Sequence, residues 1–247
     1  MSLFHIEHII PFLIILVVVA FLYASVGHGG ASGYLALMAI FAFPPEIMKP
    51  TALLLNIFVA GVSFWFFKKS NYFKPRLFWP FAIASIPAAF IGGYITIDAF
   101  LYKRILGVLL VFAVLRIMGV FGKSGESKEI KIPLALLIGF CIGFFSGMIG
   151  IGGGIILSPV ILLLGWGNVK EAAAVSALFI FVNSIAGMSG FLLNSNVIPG
   201  ESVYLVPVAL AGGTLGAFYG SNKFSFLKLK YVLSAVLMIA SIKLLTI

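Results

Sequence analysis

The sequence predicts an all-α polytopic membrane protein with about eight full transmembrane helices and two short broken segments. Of its 247 residues, 62% are hydrophobic and only 9% are charged, and the mean hydropathy is +1.20. Soluble domains carry roughly 25% charged residues, so this chain has too few polar groups to cover a globular surface in water. Apolar runs of helical length recur from one end of the chain to the other. Together these observations predict a helical bundle in a lipid bilayer.

The net charge of +9 fits this class, because Lys and Arg collect in the cytoplasmic loops of membrane proteins. We therefore expect the lipid bilayer as a partner and no nucleic acid. The first apolar run is preceded by His5, Glu7 and His8, whereas a signal peptide needs a basic region there. We expect the N-terminus to be retained. The lone Cys141 excludes an internal disulfide.

The apolar runs divide the chain into two halves with the same order of segments. The first half, residues 1–121, holds segments at 8–24, 33–43, 50–67, 77–97 and 102–121. A polar linker occupies 122–131. The second half, residues 132–247, holds segments at 132–149, 155–164, 171–193, 202–220 and 229–245. In each half the second segment is the shortest.

Local sequence also repeats between the halves, which is typical of transporters with a site at the repeat interface. The first glycine cluster, Gly27-His28-Gly29-Gly30-Ala31, aligns with Gly150-Ile151-Gly152-Gly153-Gly154. Further along, Thr51-Ala52-Leu53 aligns with Ser176-Ala177-Leu178, and Gly92-Gly93 with Gly212-Gly213.

The short segments allow two arrangements. A dozen helical residues reach under 20 Å at about 1.5 Å per residue, against a hydrocarbon core of about 30 Å. Either the first two segments of each half form one broken crossing, which gives parallel repeats, or the second segment folds back as a hairpin, which gives inverted repeats.

Loop charge favours the inverted arrangement. It places twelve of the sixteen Lys and Arg at one face, against nine and seven for the parallel one. The positive-inside bias then makes this face cytoplasmic and puts both termini outside. The twelve are Lys68, Lys69, Lys74, Arg76, Arg116, Lys123, Lys128, Lys131, Lys170, Lys223, Lys228 and Lys230.

Embedded ionisable residues usually mark function in membrane proteins because they are costly to bury, and this chain offers few. All seven acids fall at segment ends or in loops. We find no paired carboxylates, no metal-ligand spacing and no Ser-His-acid set. We therefore expect no enzyme, no metal and no cofactor.

The two glycine clusters are the strongest candidate site. Each Gly costs roughly 1 kcal/mol against Ala inside a helix, so such clusters break helices. The helix start after a break has free N–H groups that attract anions, and lipid tolerates such backbone only where protein or a cavity satisfies it. The candidate residues here are Gly27, His28, Gly29, Gly30 and Ser32, with Gly150, Gly152, Gly153 and Gly154 in the second half.

Neutral side chains could complete an anion site: Thr51, Asn56, Ser176 and Asn183. Capping or packing explains Thr51 and Ser176 equally well, and Asn in membrane helices often bonds a neighbouring helix. For His28 two readings stay open. It is either satisfied by a carbonyl group, or it donates to substrate and titrates near neutral pH.

At these residues the chain resembles the TauE/SafE family, also called the toluene sulfonate uptake permease family. The resemblance rests on SVGHGGASGY at 25–34, FPPEIMKPTA at 43–52, GMIGIGGG at 147–154 with Pro159, and Ala177-Leu178-Phe179 with Asn183-Ser184. It implies transport of sulfite, sulfonates or related sulfur anions across the bacterial inner membrane, with a site around both glycine motifs. Ile151 stands where the first motif has His28.

We therefore expect a transporter that exports a small sulfur-containing anion by alternating access. An inside-negative potential favours export of an anion by about 2.3 kcal/mol per charge per 100 mV. A channel-like anion facilitator and a non-transporting membrane scaffold subunit remain alternatives. The sequence leaves open the anion, the direction, the coupling ion and whether the chain forms a homodimer.

Overall fold

The computed structural model describes residues 6–118, 128–194, 196–222 and 229–246. Within these ranges the chain forms ten α-helices, which match the ten predicted segments in order and confirm the all-α class. They are α1 (Ile6–Ala24), α2 (Ala31–Ile40), α3 (Pro45–Lys69), α4 (Pro75–Tyr94), α5 (Ala99–Ile117), α6 (Ile132–Ile149), α7 (Gly154–Leu163), α8 (Val169–Leu193), α9 (Gly200–Asn222) and α10 (Leu229–Thr246).

Helix length separates two classes of element. Helices α3, α4, α6, α8 and α9 are long and apolar enough to cross a membrane. Helices α1, α5 and α10 have 19, 19 and 18 residues, about 27–29 Å at 1.5 Å per residue. Helices α2 and α7 have 10 residues each and reach only about 15 Å. The chain is therefore a multi-pass membrane protein with two short helices among near-spanning ones.

Both short helices fold back on the helix before them. Phe43, just after α2, stacks on Phe12 near the start of α1, with ring centroids 5.3 Å apart. In the second half the amide of Lys128, just before α6, donates to the carbonyl of Gly165, just after α7, at 2.7 Å. Each short helix thus returns to the end of the bundle where its predecessor began, as the hairpin arrangement requires.

Close backbone contacts show that α6 runs parallel to α4. Gly139 of α6 lies against Phe81 of α4, and Gly147 lies against Ala89, eight residues further along each helix. A Cβ atom at Gly147 would lie 2.0 Å from the Ala89 carbonyl oxygen. Glycine is needed here because the two backbones touch, a contact that membrane helices commonly build from small residues.

The same reasoning shows that α9 runs parallel to α1. Gly212 of α9 lies against Val17 of α1, and Gly220 lies against Ser25. The first helix of each half therefore packs on the fourth helix of the other half. The two halves therefore interlock, because the first helix of each half is buried against the other half. Neither half buries its apolar surface alone.

Helices α3 and α8 are antiparallel. Leu53, early in α3, packs with Phe191 near the end of α8, and Phe67, late in α3, packs with Ala173 near the start of α8. Asn194, which follows α8, donates to the Tyr94 carbonyl at the end of α4 at 2.9 Å. Helices α8 and α4 therefore end at the same side of the bundle and are parallel.

Helices α1, α3 and α9 thus run one way, and α4, α6 and α8 run the other. Thr51 and Ser202, each near the start of its helix, are hydrogen-bonded and confirm that α3 and α9 are parallel. Since α6, α8 and α9 correspond in order to α1, α3 and α4, every counterpart is reversed, and the repeats are inverted. The boundaries 1–121, 122–131 and 132–247 stay predictions, and residues 119–127 lie outside the described ranges.

The two ends of the bundle differ in charge. We call the end where α3 finishes and α4, α6 and α8 begin the basic end. Its described Lys and Arg are Lys68, Lys69, Lys74, Arg76, Lys128, Lys131 and Lys170, together with Arg116 near the end of α5 and Lys230 near the start of α10. The opposite end holds Lys49, Lys103, Arg104 and Lys243. Lys123, Lys223 and Lys228 of the prediction lie outside the described residues. Which end faces the cytoplasm stays a prediction.

Candidate functional site

Left-handed backbone creates both helix breaks. The φ angle is +75° at Gly27 and +104° at Gly30, and it is +91°, +76° and +79° at Gly150, Gly152 and Gly153. Glycine adopts this region without steric cost. Gly30 and Gly153 are the N-cap residues of α2 and α7. Because glycine has no side chain to cap a helix, the first N–H groups of both helices lack an N-cap acceptor.

The two breaks meet at Asn56, in the middle of α3. A Cβ atom at Gly29 would lie 2.6 Å from Asn56 Oδ1, and one at Gly152 would lie 2.7 Å from Asn56 Nδ2. The Cγ2 methyl of Ile180 on α8 lies within 2.9 Å and 2.8 Å of the same two positions. Asn56 is fully buried and donates to the Ile151 carbonyl at 3.4 Å. One amide thus lies between a break from each half.

One hydroxyl group of the second half contacts this amide. Asn56 Nδ2 also lies 3.3 Å from Ser184 Oγ on α8. A Cβ atom at Gly154 would lie 3.2 Å from the Ser176 carbonyl, so the start of α7 rests on α8. The contacts that join the first break to the second therefore come from α3 and α8, the central antiparallel pair.

Several buried polar atoms near the breaks lack a hydrogen-bond partner among the residues that the structure describes. They are Tyr34 Oη, Asn56 Oδ1 and Ser146 Oγ, together with Ser63 Oγ and Asn183 Oδ1 elsewhere on α3 and α8. A Cβ atom at Gly30 would lie 2.6 Å from Tyr34 Oη, and one at Gly153 would lie 3.4 Å from Ser146 Cβ. Leaving such a group unpaired costs about 1–3 kcal/mol, so this clustering at the breaks needs an explanation.

His28 joins the first break to the second half. Its Nδ1 lies 2.9 Å from the Val26 carbonyl, and its Nε2 lies 3.2 Å from Ser158 Oγ on α7. Ser158 Oγ lies 2.7 Å from Ser176 Oγ on α8. Because a carbonyl only accepts, Nδ1 carries a proton, and the Nε2 of a neutral ring accepts from Ser158. His28 is therefore bonded to a carbonyl group, as one of the two predictions stated. It also contacts the Ser158 hydroxyl, which in turn contacts the Ser176 hydroxyl.

The remaining predicted residues lie further from Asn56. Thr51 faces α9, where its Oγ1 lies 2.6 Å from Ser202 Oγ. Asn183 donates back to the Phe179 carbonyl of its own helix at 2.8 Å. The structure therefore places neither side chain at the meeting point of the breaks, since each is turned to another neighbour.

Three further predicted residues line the outer sides of the breaks. Ser32 donates to the Tyr23 hydroxyl within the α1–α2 hairpin at 2.8 Å. A Cβ atom at Gly27 would lie 2.6 Å from the Ala173 carbonyl, and one at Gly150 would lie 3.0 Å from the Lys49 carbonyl. These contacts pack each break against the first turns of α8 and α3.

Sequence reasoning missed Ser158 and Ser184. Ser158 stands one turn after the second glycine cluster and just before Pro159, and Ser184 adjoins Asn183. Their positions beside the recognised motifs could have indicated a role in the site. Serine is common in membrane helices, however, so its presence alone does not indicate a site. No group of three His, Cys, Asp or Glu that could hold a metal occurs among the described residues.

Many membrane transporters share an architecture of inverted repeats with helix breaks at their interface. The sequence profile of the family described as sulfite exporter TauE/SafE matches residues 12–244. The chain therefore belongs to the TauE/SafE family, and the resemblance of the motifs is confirmed.

Curated relatives carry names of the same class. The chain is 38% identical to "Probable membrane transporter protein y4hK" of Sinorhizobium fredii (strain NBRC 101917 / NGR234), over 92% of this chain and 94% of that one. It is 26% identical to "Probable membrane transporter protein YunE" of Bacillus subtilis (strain 168), over 70% and 71% of the two chains. No solved structure matches the chain. The family and these names indicate a membrane transporter rather than an enzyme.

Proposed function

We propose that this protein exports a small sulfur-containing oxyanion, such as sulfite or an organosulfonate, across the bacterial inner membrane. The observation that carries the proposal is the convergence of two uncapped helix starts, α2 and α7, on Asn56. Helix N-termini present N–H groups and a partial positive charge to anions. The described acids lie at helix ends or in loops, so no carboxylate near Asn56 opposes an anion.

In this mechanism the anion binds between the two breaks. The first N–H groups of α2 and α7 donate to its oxygens, and Ser158, Ser176 and Ser184 supply neutral hydroxyl donors. A bound oxyanion also gives Tyr34 Oη and Ser146 Oγ hydrogen-bond partners, which accounts for their lack of one within the protein. Neutral donors hold an anion without a fixed central cation, so the anion can leave.

The inverted repeats supply alternating access. Two halves of opposite orientation can exchange conformations, which opens the central site first to one end of the bundle and then to the other. Each break consists mostly of glycine and lies where the hairpin of one half meets α3 and α8, so it can absorb the required backbone rotation. With the basic end in the cytoplasm, the membrane potential drives anion export at about 2.3 kcal/mol per charge per 100 mV.

Flux measurements in proteoliposomes test this proposal. We expect saturable transport of radiolabelled sulfite or methanesulfonate that increases when the receiving compartment is made positive, and no flux in protein-free vesicles. Flux that does not saturate would support a channel-like facilitator instead. Absence of flux for every small sulfur oxyanion tested would overturn the proposal and favour a scaffold.

A further inference from the structure

Lys49 is a buried cation in the second turn of α3. Its side chain is 8% exposed. The ammonium donates to the carbonyls of Gly93 at 3.0 Å and Ile95 at 3.3 Å, at the C-terminal end of α4. It also lies 5.5 Å from the centre of the Phe191 ring on α8. Carbonyl dipoles and a ring face thus surround this ammonium, and no described carboxylate forms an ion pair with it.

Lys170 has the same surroundings in the other half. It lies in the first turn of α8, and its ammonium donates to the Gly220 carbonyl near the end of α9. It lies 5.7 Å from the ring centres of both Phe67 on α3 and Tyr72 in the following loop. This lysine is half-buried, and again a helix end and aromatic faces hold the cation.

The two lysines stand at similar but not equivalent places in the inverted repeat, since the alignment of Thr51 with Ser176 pairs Lys49 with Ala174 and Lys170 with Pro45. Each lysine stands near the start of a 25-residue helix and reaches the C-terminal carbonyls of the next long helix in its own half. Each also lies over a phenylalanine from the other half, and Phe67 and Phe191 are both the third residue from the end of their helices. Each half therefore contributes one lysine that lies over the correspondingly placed phenylalanine of the other half.

Lys49 contacts one glycine break, and Lys170 lies one turn from a residue that contacts the other. A Cβ atom at Gly150 would lie 3.4 Å from Lys49 Cγ, so this lysine rests against the second break. A Cβ atom at Gly27 would lie 2.6 Å from the Ala173 carbonyl, one turn beyond Lys170. In order from the basic end to the opposite end, the bundle therefore holds Lys170, the first break, the second break and Lys49.

We propose that Lys170 and Lys49 are anion-binding residues of the transport path, one serving the basic end and the other the opposite end. This inference rests on the proposed function and names the cationic contacts of that path. When α9 moves away from α8, Lys170 loses its carbonyl partner and its ammonium becomes available to an oxyanion. Movement of α4 away from α3 frees Lys49 in the same way.

Ammonium chemistry suits this exchange. The three N–H donors of a lysine ammonium can bond either a helix-end carbonyl or an oxyanion with good geometry. The hydrogen bond to the charged oxyanion is the stronger of the two. A carboxylate partner would neutralise the cation, whereas carbonyls and rings leave its charge available. When the helix end returns, its carbonyls compete for the ammonium, which releases the anion instead of trapping it.

Kinetics measured separately from each face test the proposal. In proteoliposomes of known orientation, Lys170→Met should raise KM for methanesulfonate entering from the basic end by about tenfold or more, the effect of losing one charge-assisted hydrogen bond. KM for entry from the opposite end should stay within about twofold of wild type. Lys49→Met should show the reverse pattern, and Lys49→Arg and Lys170→Arg should retain the wild-type KM values.

Lys243→Met is the matched control. Lys243 also lies at the opposite end and donates to a helix-end carbonyl, that of Ile40, at 2.9 Å, yet it does not adjoin a break. If the Lys49 and Lys170 variants behave like Lys243→Met, or lower kcat equally from both faces with KM unchanged, the lysines are only helix caps and the inference is wrong. If wild-type protein shows no flux, the proposed function itself fails.

Modification of the unsubstituted protein gives a second test that does not depend on variants folding. Pyridoxal phosphate is an anionic aldehyde that forms an imine with free lysine, and borohydride reduction makes the product permanent. Applied to the basic end it should label Lys170, and applied to the opposite end it should label Lys49, with methanesulfonate protecting both. Failure to label either lysine, or labelling that methanesulfonate does not reduce, would overturn the inference.

Discussion

The hydrogen bond between His28 Nε2 and Ser158 Oγ, 3.2 Å long, connects the break of the first half to a helix of the second. Its direction depends on the protonation of His28. A neutral ring accepts from Ser158, whereas an imidazolium must donate to it. The same bond can therefore report the charge of His28 to α7 and, through Ser158, to Ser176 on α8.

We first predict that His28 makes anion transport depend on pH. A protonated ring adds positive charge beside the breaks, so KM for an anion should be lower at acid pH than at alkaline pH. Methanesulfonate flux should be measured, because this anion keeps its charge at both. His28→Gln should show a KM that no longer varies with pH. If His28→Ala transports like wild type at every pH, proton linkage is absent and the helix-start site stands without it.

Second, adding a side chain at Gly152 should disrupt the site. Its φ angle of +76° and the 2.7 Å approach to Asn56 Nδ2 leave no space for a Cβ atom. We expect Gly152→Ala to lower the free energy of unfolding by about 1–3 kcal/mol and to lose most transport. Thermal unfolding in detergent and proteoliposome flux measure the two effects.

Gly200→Ala is the control for that substitution, because a Cβ atom there meets nothing within 4 Å. It should change stability by no more than about 0.5 kcal/mol and leave flux intact. Equal behaviour of the two alanine variants would show that the contact with Asn56 is unimportant.

Third, a negative charge at Asn56 should abolish anion transport. Asn56→Asp is nearly isosteric, but it puts a carboxylate between the two helix starts and removes the N–H donated to the Ile151 carbonyl. We expect flux to fall by more than about tenfold, since a like charge at a binding site repels the ligand. Asn71→Asp makes the same charge change at an exposed residue and should transport normally. Normal flux in Asn56→Asp would move the binding site away from the breaks.

Fourth, membrane labelling should place Lys69 and Asn196 on opposite faces. Lys69 ends α3 at the basic end, and Asn196 lies between α8 and α9 at the opposite end. In a variant without Cys141, Lys69→Cys should react with impermeant maleimide only from the cytoplasm and Asn196→Cys only from outside. Labelling of both from one side would contradict inverted repeats, and a reversed result would place the basic end outside.

The sequence predicted the breaks and the inverted repeats because both depend on local chemistry. Glycine clusters interrupt a helix wherever they stand, and segment length follows from the apolar runs. Loop charge then distinguished the hairpin from the broken crossing, since basic loops keep to one face. Contacts such as Phe12 with Phe43 confirm that choice.

Only the tertiary structure decided which side chains meet. Asn56 contacts the carbonyl of Ile151, 95 positions away, while Thr51 on the same helix faces α9. The difference lies in the rotation of α3 about its axis, which packing against α8 and α9 determines. The few polar residues of α3 are scattered over a mostly apolar helix, so its sequence pattern does not reveal that rotation. The pairing of Lys49 with Phe191 and of Lys170 with Phe67 was hidden for the same reason, because it joins the start of one helix to the end of another across the repeat interface.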